Sequence, residues 1–321
     1  MIIKKIKDLK RFGPRVSFKI NKFLPTSNHS ISYLTGDINM IAFASHVQQI
    51  SLGALYCKLH NYNFYSVDHP YIKKFKIINN KADSYMSFVK KRYRFFYFDR
   101  PETEFYKRKD YFNNKENDFP LRESDKFYYI SNFHDFNRDF LYHKLLIAED
   151  LDIGSNTLVI HIRTGDIFKR DWHSLYTQNP LSYFLKISEG FEKVIVVCGK
   201  DRNNPVLNYL KENKKFNIQS NSFKEDFNIL LNAKNLATSG VSGFPIAAAL
   251  LSQKLENFYH SNIYLKEHLN PEMINKKIIN VHSYEVKDYI AVGKFIKSKN
   301  NLKKLLSEDT SLIKKTIFNP K

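Results

Sequence analysis

Two short runs of almost uninterrupted apolar residues constrain the fold of this chain most: LVIHI at residues 158–162 and VIVVC at residues 194–198. A strand that is apolar on both faces belongs in a parallel sheet, because helices cover both sides of such a sheet. Between the two runs, Pro180 opens a segment with apolar residues at helical spacing, and proline is well tolerated in a first helical turn. The sequence therefore predicts a strand–helix–strand unit of an open parallel sheet.

The same alternation continues through the second half of the chain. Strand-like and helix-like segments follow one another, which is typical of a Rossmann-like sheet that binds ligands at the carboxyl ends of its strands. The predicted strands are Thr157–Arg163, Val194–Cys198, Asn217–Ser220, Leu236–Ser239 and, as the last, Phe258–His260. The predicted helices are one from Pro180, then Pro205–Asn213, Lys224–Ala233 and Phe244–Ser252.

A shorter strand–helix–strand pattern occupies the first half. Ile38–Phe43 predicts a strand, Ser45 a helix N-cap, His46–Leu59 a helix and Asn63–Val67 a second strand. Residues 88–126 are charged and aromatic without a clear period, so we expect a variable insertion there, with a strand at Phe95–Phe98.

Two further segments complete the secondary-structure prediction. Phe127–Ser131 predicts a strand, followed by a helix that runs toward Leu151. The lysine-rich tail, Ser283–Pro320, predicts one or two basic helices.

These patterns predict an α/β protein in which two Rossmann-like domains face a cleft. We place a basic segment at residues 1–30, a first domain at residues 31–150, a second domain at residues 151–282 and a basic helical segment at residues 283–321. The boundary between the two domains is expected between Glu149 and Asn156. A ligand would then lie in the cleft, at the carboxyl ends of the strands.

The charge of the chain points to an anionic partner. It carries 51 Lys and Arg against 32 Asp and Glu, a formal net charge of +19. Nucleic acid, an acidic membrane surface and phosphorylated small molecules all fit such a surplus. The two cysteines, Cys57 and Cys198, lie far apart in apolar segments, which argues against a disulfide framework or a zinc site.

The sequence also bears on location. It contains no run of about 20 apolar residues and no long apolar stretch near its start, so neither a spanning helix nor a signal peptide is expected. We therefore expect a cytoplasmic protein. Its basic ends would allow a peripheral position on the anionic inner membrane, and a solvated basic tail is the alternative.

The first motif with chemical content is H-x-R-x-x-D, formed by His161, Arg163 and Asp166. Alternate residues of a strand share a face, so His161 and Arg163 are expected to point the same way at the carboxyl end of the strand. Asp166 follows a Thr-Gly turn and can pin a basic group by a charge-assisted hydrogen bond. An arginine held there suits a phosphate group, because its fork meets two oxygens at once. The alternative is a structural Arg163–Asp166 pair with a packed histidine.

The second motif is the stretch TSGVSG. Its small and hydroxyl-bearing residues lead from a strand into a helix, and they are Thr238, Ser239, Gly240, Ser242 and Gly243. Such a helix start turns backbone N–H groups and the positive end of the helix dipole toward an anion. A tight turn before a core helix would explain the glycines but not the three hydroxyls. A third candidate, Asp226, starts the preceding helix, either as its cap or as an acceptor for a nucleoside.

Taken together, these motifs resemble the α1,2-/α1,6-/protein-O-fucosyltransferase superfamily. The likeness covers about residues 125–255 and is nearest to the α1,2 branch, which YYISNFHDF also resembles. The resemblance implies two Rossmann-like domains in the GT-B arrangement and inverting transfer of fucose from GDP-fucose, without a metal or another cofactor. The first domain would then serve the acceptor, a cell-surface or lipid-linked glycan, and the second would bind the nucleotide sugar.

The resemblance also implies residue roles. Arg163 would grip the donor pyrophosphate with His161 beside it, and Asp166 would hold the loop. Asp226 would face the guanosine, while Ser239 and Ser242 would meet the phosphates.

The chain departs from the family pattern in two places. Thr164 stands where many members have a second arginine, and FASHVQQ replaces the glycine-rich opening loop of the α1,2 branch. A general base would assist the acceptor hydroxyl, and the candidates are Asp166 and His46, the latter in the first strand–helix loop.

Two other functions stay open on the sequence. Another nucleotide sugar, such as a GDP- or UDP-hexose, would use the same phosphate grip. A non-catalytic nucleic-acid-binding protein would explain the charge and the many aromatic residues, which can stack on bases. No nucleic-acid motif is present, however, so we expect no specific nucleic-acid partner.

Overall fold

The computed structural model describes residues 30–33, 43–59, 63–66, 69–79, 94–98, 108–110, 115–117, 123–168, 174–200, 203–265 and 268–317. The chain divides into two compact units. The first unit takes in Met1–Ala42 and His46–Tyr129, and the second takes in Phe43–Ser45 and Ile130–Lys321. Every predicted site residue except His46 belongs to the second unit.

The first unit contains a six-stranded sheet. Its strands are β1 (Ser30–Tyr33), β2 (Asn63–Tyr65), β3 (Lys76–Ile77), β4 (Arg94–Phe98), β5 (Arg108–Asp110) and β6 (Lys115–Asn117). Their order is β3-β2-β1-β4-β5-β6. β1 runs parallel to β2 and β4, and the outer pairs are antiparallel. Helix α1 (Phe43–Leu59) begins in the second unit, and helix α2 (Glu123–Phe136) ends there.

The second unit contains a seven-stranded sheet. The strands are β7 (Thr157–Ile162), β8 (Lys193–Cys198), β9 (Phe216–Gln219), β10 (Asn235–Ala237), β11 (Asn257–Ser261), β12 (Asn280–Val286) and β13 (Ile313–Thr316). The helices are α3 (Leu181–Ser188), α4 (Pro205–Leu210), α5 (Phe223–Leu231), α6 (Gly243–Leu251) and α7 (Lys299–Leu305). The order of the strands is β13-β12-β11-β10-β7-β8-β9, and only the β12–β13 pair is antiparallel.

This order places β7 at a topological switch point. From β7 the chain builds outward through β8 to β9, and then it returns to the other side of β7 with β10, β11 and β12. The six parallel strands thus have the order of a doubly wound, Rossmann-like sheet. In such sheets the crossovers leave in opposite directions on either side of the switch, which opens a crevice at the carboxyl ends of the two central strands. Here those strands are β7 and β10.

Both faces of β7 are covered, as its apolar sequence predicts. Leu158, Ile160 and Ile162 are fully buried in one core cluster that also contains Leu181 and Phe184 of α3. His161 points to the opposite face, where its ring lies 5.3 Å from the ring of Phe244 in α6. The predicted alternation along this strand is therefore present, and it separates an apolar face from the face that carries the imidazole.

Buried asparagines form hydrogen bonds with the backbone of the segment that leads into β7. Asn228 accepts a hydrogen bond from the backbone N–H of Glu149 (2.9 Å) and donates one to the carbonyl of Ile147 (2.7 Å). One helical turn later, Asn232 accepts from the N–H of Leu151 (3.2 Å) and donates to the carbonyl of Glu149 (2.8 Å). The two side chains lie on one face of α5 because residues four apart are neighbours on a helix.

These amides form hydrogen bonds with the backbone of the segment, as a neighbouring strand would. Each offers one donor and one acceptor to an extended backbone that has no strand partner on that side. Asn235 continues the pattern with bonds to the carbonyls of Ser155 (2.7 Å) and Thr157 (3.1 Å). The entry into β7 is thereby held by side chains of α5 and β10.

The structure corrects two predictions in the first half. Ser45 is not a helix cap, because α1 already begins at Phe43, and the rest of the predicted Ile38–Phe43 strand lies outside the described residues. Phe127–Ser131 is not a strand but part of α2. Its aromatic residues favour strands in isolation, yet Tyr129 and Phe133 lie one helical turn apart and are both buried, so tertiary packing overrides that preference. The helix also stops short of Leu151, since a π-helical turn (Asn137–Leu141) and a 3₁₀ turn (Tyr142–Lys144) end it.

The tail is the third correction. Phe258–His260 does not mark the last strand, and Ser283–Pro320 is not mainly helical. β12 and β13 extend the sheet beyond β11, and α7 is the one α-helix among the described residues of the tail. The lysines of β13 suit an edge strand, because exposed charge there discourages pairing with other chains.

Two further observations concern the described residues only. None of their helices has the length and apolar character needed to cross a membrane. Cys57 and Cys198 are both buried, and neither forms a disulfide.

The asparagine contacts generate a stability prediction. We expect Asn228→Ala to lower the free energy of unfolding by about 2 to 4 kcal/mol, because it leaves backbone groups of Ile147 and Glu149 without their partners. Urea or thermal unfolding measures the change. The matched control is Asn208→Ala at an exposed position of α4, with an expected change within about 0.5 kcal/mol. Equal effects of the two substitutions would refute the role of the amide.

Candidate functional site

The site is built where β7 and β10 end side by side. Arg163 follows β7, and Thr238 and Ser239 follow β10. The backbone N–H of Arg163 donates a hydrogen bond to the hydroxyl of Ser239 (3.2 Å), and the carbonyl of Arg163 accepts one from the side chain of Asn204 (3.1 Å). The first and second sequence motifs therefore meet at the switch point, and the backbone of Arg163 is held at both of its polar groups.

The guanidinium group of Arg163 is paired with Asp166. Nε donates to Oδ1 at 3.0 Å and Nη2 to Oδ2 at 2.5 Å. The turn between them is closed by the N–H of Asp166, which donates to the carbonyl of Thr164 (3.0 Å), and it passes through Gly165 at a φ of 85°. The predicted Arg163–Asp166 pair is thus present, in a bidentate geometry.

This pairing leaves part of the arginine fork available. Asp166 occupies the side of the guanidinium that carries Nε, and a guanidinium has five N–H donors in a fixed plane. Three of them, two on Nη1 and one on Nη2, make no hydrogen bond among the residues that the structure describes. The end of the fork can therefore meet two oxygens of one anion.

Tyr176 lies against the same guanidinium. The Cζ atom of Arg163 sits 3.6 Å from the centre of the Tyr176 ring. The ring of Tyr176 in turn lies 6.2 Å from that of His268, nearly at right angles. The arginine is thus in contact with a carboxylate along one edge and with an aromatic ring on one face.

The loop after β10 ends at an uncapped helix. Ser242 stands at the N-cap of α6, but its hydroxyl makes no cap hydrogen bond. It lies instead 3.5 Å from Nδ1 of His161. The N–H groups in the first turn of α6, Gly243 and Phe244 among them, therefore have no side-chain cap, which leaves this helix start as a site of positive potential.

Gly240 has a steric role in the same loop. Its φ is 107°, and a Cβ atom on it would stand 2.6 Å from the carbonyl oxygen of Thr177. A side chain is excluded on both counts. Gly243 is tight as well, since a Cβ there would meet Ala44 at 3.1 Å.

His161 is a buried, neutral imidazole. Burial, and then the nearby charge of Arg163, lowers the pKa of His161 to about 3. The burial comes from aromatic neighbours: Phe244, which touches His161, packs on Phe223 and Phe227 with ring centres 5.7 and 5.5 Å away. A neutral ring can accept or donate one hydrogen bond at Nδ1, so it can orient the Ser242 hydroxyl without adding charge.

A recess borders the second motif. It is small, with room for about one water molecule, and its lining includes Thr238, Gly240, Ser242, Tyr264 and His268. The described residues around it therefore do not enclose a nucleotide sugar.

Asp226 lies in the first turn of α5, the helix that follows β9. Its Oδ1 accepts hydrogen bonds from the backbone and the side chain of Asn221 (both 3.1 Å). Burial raises the pKa of the Asp226 carboxyl, and these bonds oppose the shift. The cap of α5 is Ser222, in a capping box with Glu225, so the prediction that Asp226 caps the helix is wrong. Its role toward a nucleoside stays a prediction.

His46 belongs to the first unit. It does not lie in a strand–helix loop, as predicted, but inside α1, because that helix begins earlier than expected. It is buried, and its ring centre lies 4.7 Å from that of His69. Burial, and then His46, lowers the pKa of His69 to about 4. The role of His46 as a general base stays a prediction.

Sequence reasoning missed two residues at the switch point. Asn204 precedes Pro205 at the start of α4, and an Asn-Pro pair at a helix start is a signal that could have revealed its capping role. Tyr176 lies in a stretch without periodicity, and no local signal connects it with Arg163.

Comparisons with known proteins add no relative. A scan against protein-family models returns no match, and searches of curated proteins and of solved structures return no similar chain. Among the described residues, no three His, Cys, Asp or Glu side chains gather into a group that could hold a metal ion.

The buried imidazole generates a prediction about pH. Because the folded pKa of His161 lies below its ordinary value of 6.5, the unfolded chain takes up the proton first as the pH falls, and stability is lost from pH 6.5 downward. His161→Asn removes this loss. We therefore compare the free energy of unfolding of the wild type with that of this variant. The difference should shrink by about 2 to 3 kcal/mol between neutral pH and about pH 4.5.

Chemical denaturation at a series of pH values measures this difference. His143→Asn is the matched control, because His143 is exposed. Its difference from the wild type in the free energy of unfolding should change much less over the same range. A constant difference for His161→Asn would show that this imidazole is not held neutral by burial.

Proposed function

We propose that this chain is an inverting, metal-independent glycosyltransferase that uses a nucleotide sugar, with GDP-fucose as the expected donor. The observation that carries the proposal is the geometry of Arg163, whose fork keeps one end free while Asp166 holds the other. Arg163 follows β7 at the switch point of a Rossmann-like sheet, and the uncapped helix α6 follows the neighbouring strand β10. A diphosphate would fit the Arg163 guanidinium and the start of α6, since both kinds of group bind phosphate oxygens.

The Arg163 guanidinium and the start of α6 also suit the chemistry of sugar transfer. When an acceptor hydroxyl attacks the anomeric carbon from the far side, the sugar–phosphate bond breaks and negative charge develops on the β-phosphate. Arg163 and the N–H groups at the start of α6 would stabilise that charge. They are held in place before the reaction by Asp166, Ser239 and the fold of the loop, so little reorganisation is needed.

The finer parts of the proposal rest on the resemblance to the fucosyltransferase superfamily. They are the GDP-fucose donor, the glycan acceptor and the arrangement of two Rossmann-like domains around a cleft. Asp166 and His46 are the candidates for a base that assists the acceptor. Asp166 already accepts two hydrogen bonds from Arg163, and His46 is buried inside α1.

Ligand-induced stabilisation tests the donor. We expect GDP and GDP-fucose to raise the melting temperature of the wild type, by an amount that corresponds to about 2.7 kcal/mol at a hundredfold excess over Kd. UDP and UDP-sugars should have little effect, and EDTA should not change the result. Stabilisation by UDP-sugars alone would move the assignment to another nucleotide sugar, and no response to any nucleotide would refute the proposal.

Replacement of Arg163 tests whether its guanidinium binds the phosphates of the nucleotide. Arg163→Gln should weaken GDP binding by about 3 kcal/mol, a roughly hundredfold higher Kd, because the charged fork is lost. Titration calorimetry measures Kd, and a thermal melt reports folding. Lys193→Gln is the matched control, since it removes the same charge at the amino end of β8, on the opposite edge of the sheet. Equal losses would mean that net charge, and not the fork, attracts the nucleotide.

A further inference from the structure

Tyr176 fixes the plane of the Arg163 guanidinium. Asp166 meets one edge of that group and so sets its rotation within the plane. The carboxylate alone would still allow the arginine to tilt. The Tyr176 ring, with its centre 3.6 Å from Cζ, removes that freedom from one face and adds the attraction of an aromatic face for a cation.

The chain around Tyr176 is bound to the loop that starts α6. Just after Tyr176, the carbonyl of Thr177 accepts a hydrogen bond from the N–H of Val241 (3.0 Å). Two residues further on, the N–H of Asn179 donates to the carbonyl of Ser239 (2.8 Å), and its side-chain amide donates to the carbonyl of Thr238 (3.2 Å). Residues 177–179 thus run along residues 238–241 as a short, strand-like partner.

Gly240 makes this close approach possible. It forms an antiparallel bridge with Gln178, and a side chain on it would collide with the backbone of Thr177. The glycine of the second motif therefore serves the placement of the Tyr176 segment. The opposite side of that segment is held as well, since the N–H of Phe295 donates to the carbonyl of Ser174 (3.4 Å).

We propose that Tyr176 is a positioning residue that aligns Arg163 with the start of α6. The guanidinium and the N–H groups of the helix would then contact one diphosphate at a fixed distance from each other. The inference rests on the proposed function of this site. Its physical content is a chain of contacts: Arg163 stacks on Tyr176, and the backbone beside Tyr176 is bonded to the loop before α6. An aromatic ring at position 176 is required for this alignment, while the phenol hydroxyl is not.

Two matched substitutions test the ring in the binding of GDP. Tyr176→Phe keeps the aromatic face and should hold Kd within about twofold of the wild type. Tyr176→Leu keeps an apolar side chain but loses the face, and it should raise Kd roughly tenfold. Tyr176→Met repeats the test if the leucine variant fails to fold in a thermal melt. Equal Kd values for the phenylalanine and aliphatic variants would overturn the inference and leave the proposed function intact.

A coupling measurement separates alignment from a general disturbance. Arg163→Gln removes the group that Tyr176 positions, so in that background Tyr176→Leu should change Kd less than about twofold. An unchanged tenfold effect would show that Tyr176 acts on the nucleotide by another route, which contradicts the inference.

Chemical labelling without nucleotide separates the two proposals. Phenylglyoxal modifies arginine side chains, and peptide mass analysis reports the rate at Arg163. A stacked, paired guanidinium should react slowly in the wild type and in Tyr176→Phe, and about five- to tenfold faster in Tyr176→Leu, in line with the strength of a cation–π contact. Equal rates in all three would overturn the positioning role. A clear difference supports it even if GDP fails to bind, which would refute the proposed function alone.

Discussion

The pairing of β7 with β10 is the interaction on which the rest of the second unit depends. It reverses the direction in which the sheet grows, because β8 and β9 lie on one side of this pair and β11 to β13 on the other. It also brings two loops together that are about 75 residues apart in sequence, a consequence of parallel strands ending at the same edge. Arg163 and Ser239 are joined by a hydrogen bond only because their strands are neighbours.

Where the chain enters and leaves these buried central strands, backbone N–H and C=O groups need hydrogen-bond partners. Side-chain amides supply several of them. Asn228, Asn232 and Asn235 pair with the backbone that enters β7, and Asn204 and Asn179 pair with the backbone that leaves β7 and β10. Asn228 and Asn232 each supply a donor and an acceptor to the segment, whereas the other three asparagines donate to backbone carbonyls. Among the described residues, part of the Arg163 fork and the first turn of α6 have no hydrogen-bond partner from a side chain, and they follow the neighbouring strands β7 and β10.

Periodic parts of the chain were predictable, and parts that depend on distant pairing were not. The central strands and helices from β7 to β11 follow the predicted order, because uninterrupted apolar runs and proline-started helices are local signals. β12 and β13 were missed because their sequences are polar and their pairing is with β11 and with each other. The aromatic residues of Phe127–Ser131 predict a strand, whereas the burial of Tyr129 and Phe133 on one side of α2 stabilises a helix.

By itself, the sequence determined that a mainly parallel α/β sheet forms, that His161 faces away from Leu158, Ile160 and Ile162, and that Asp166 can reach Arg163 across a glycine turn. These are properties of neighbouring residues, set by strand alternation and turn geometry. Only the tertiary structure decided that Tyr176 lies against Arg163 and that Ser242 turns to His161 instead of capping its own helix. The physical reason is that such contacts join residues far apart in the chain, and they exist only after the strands have taken their order in the sheet.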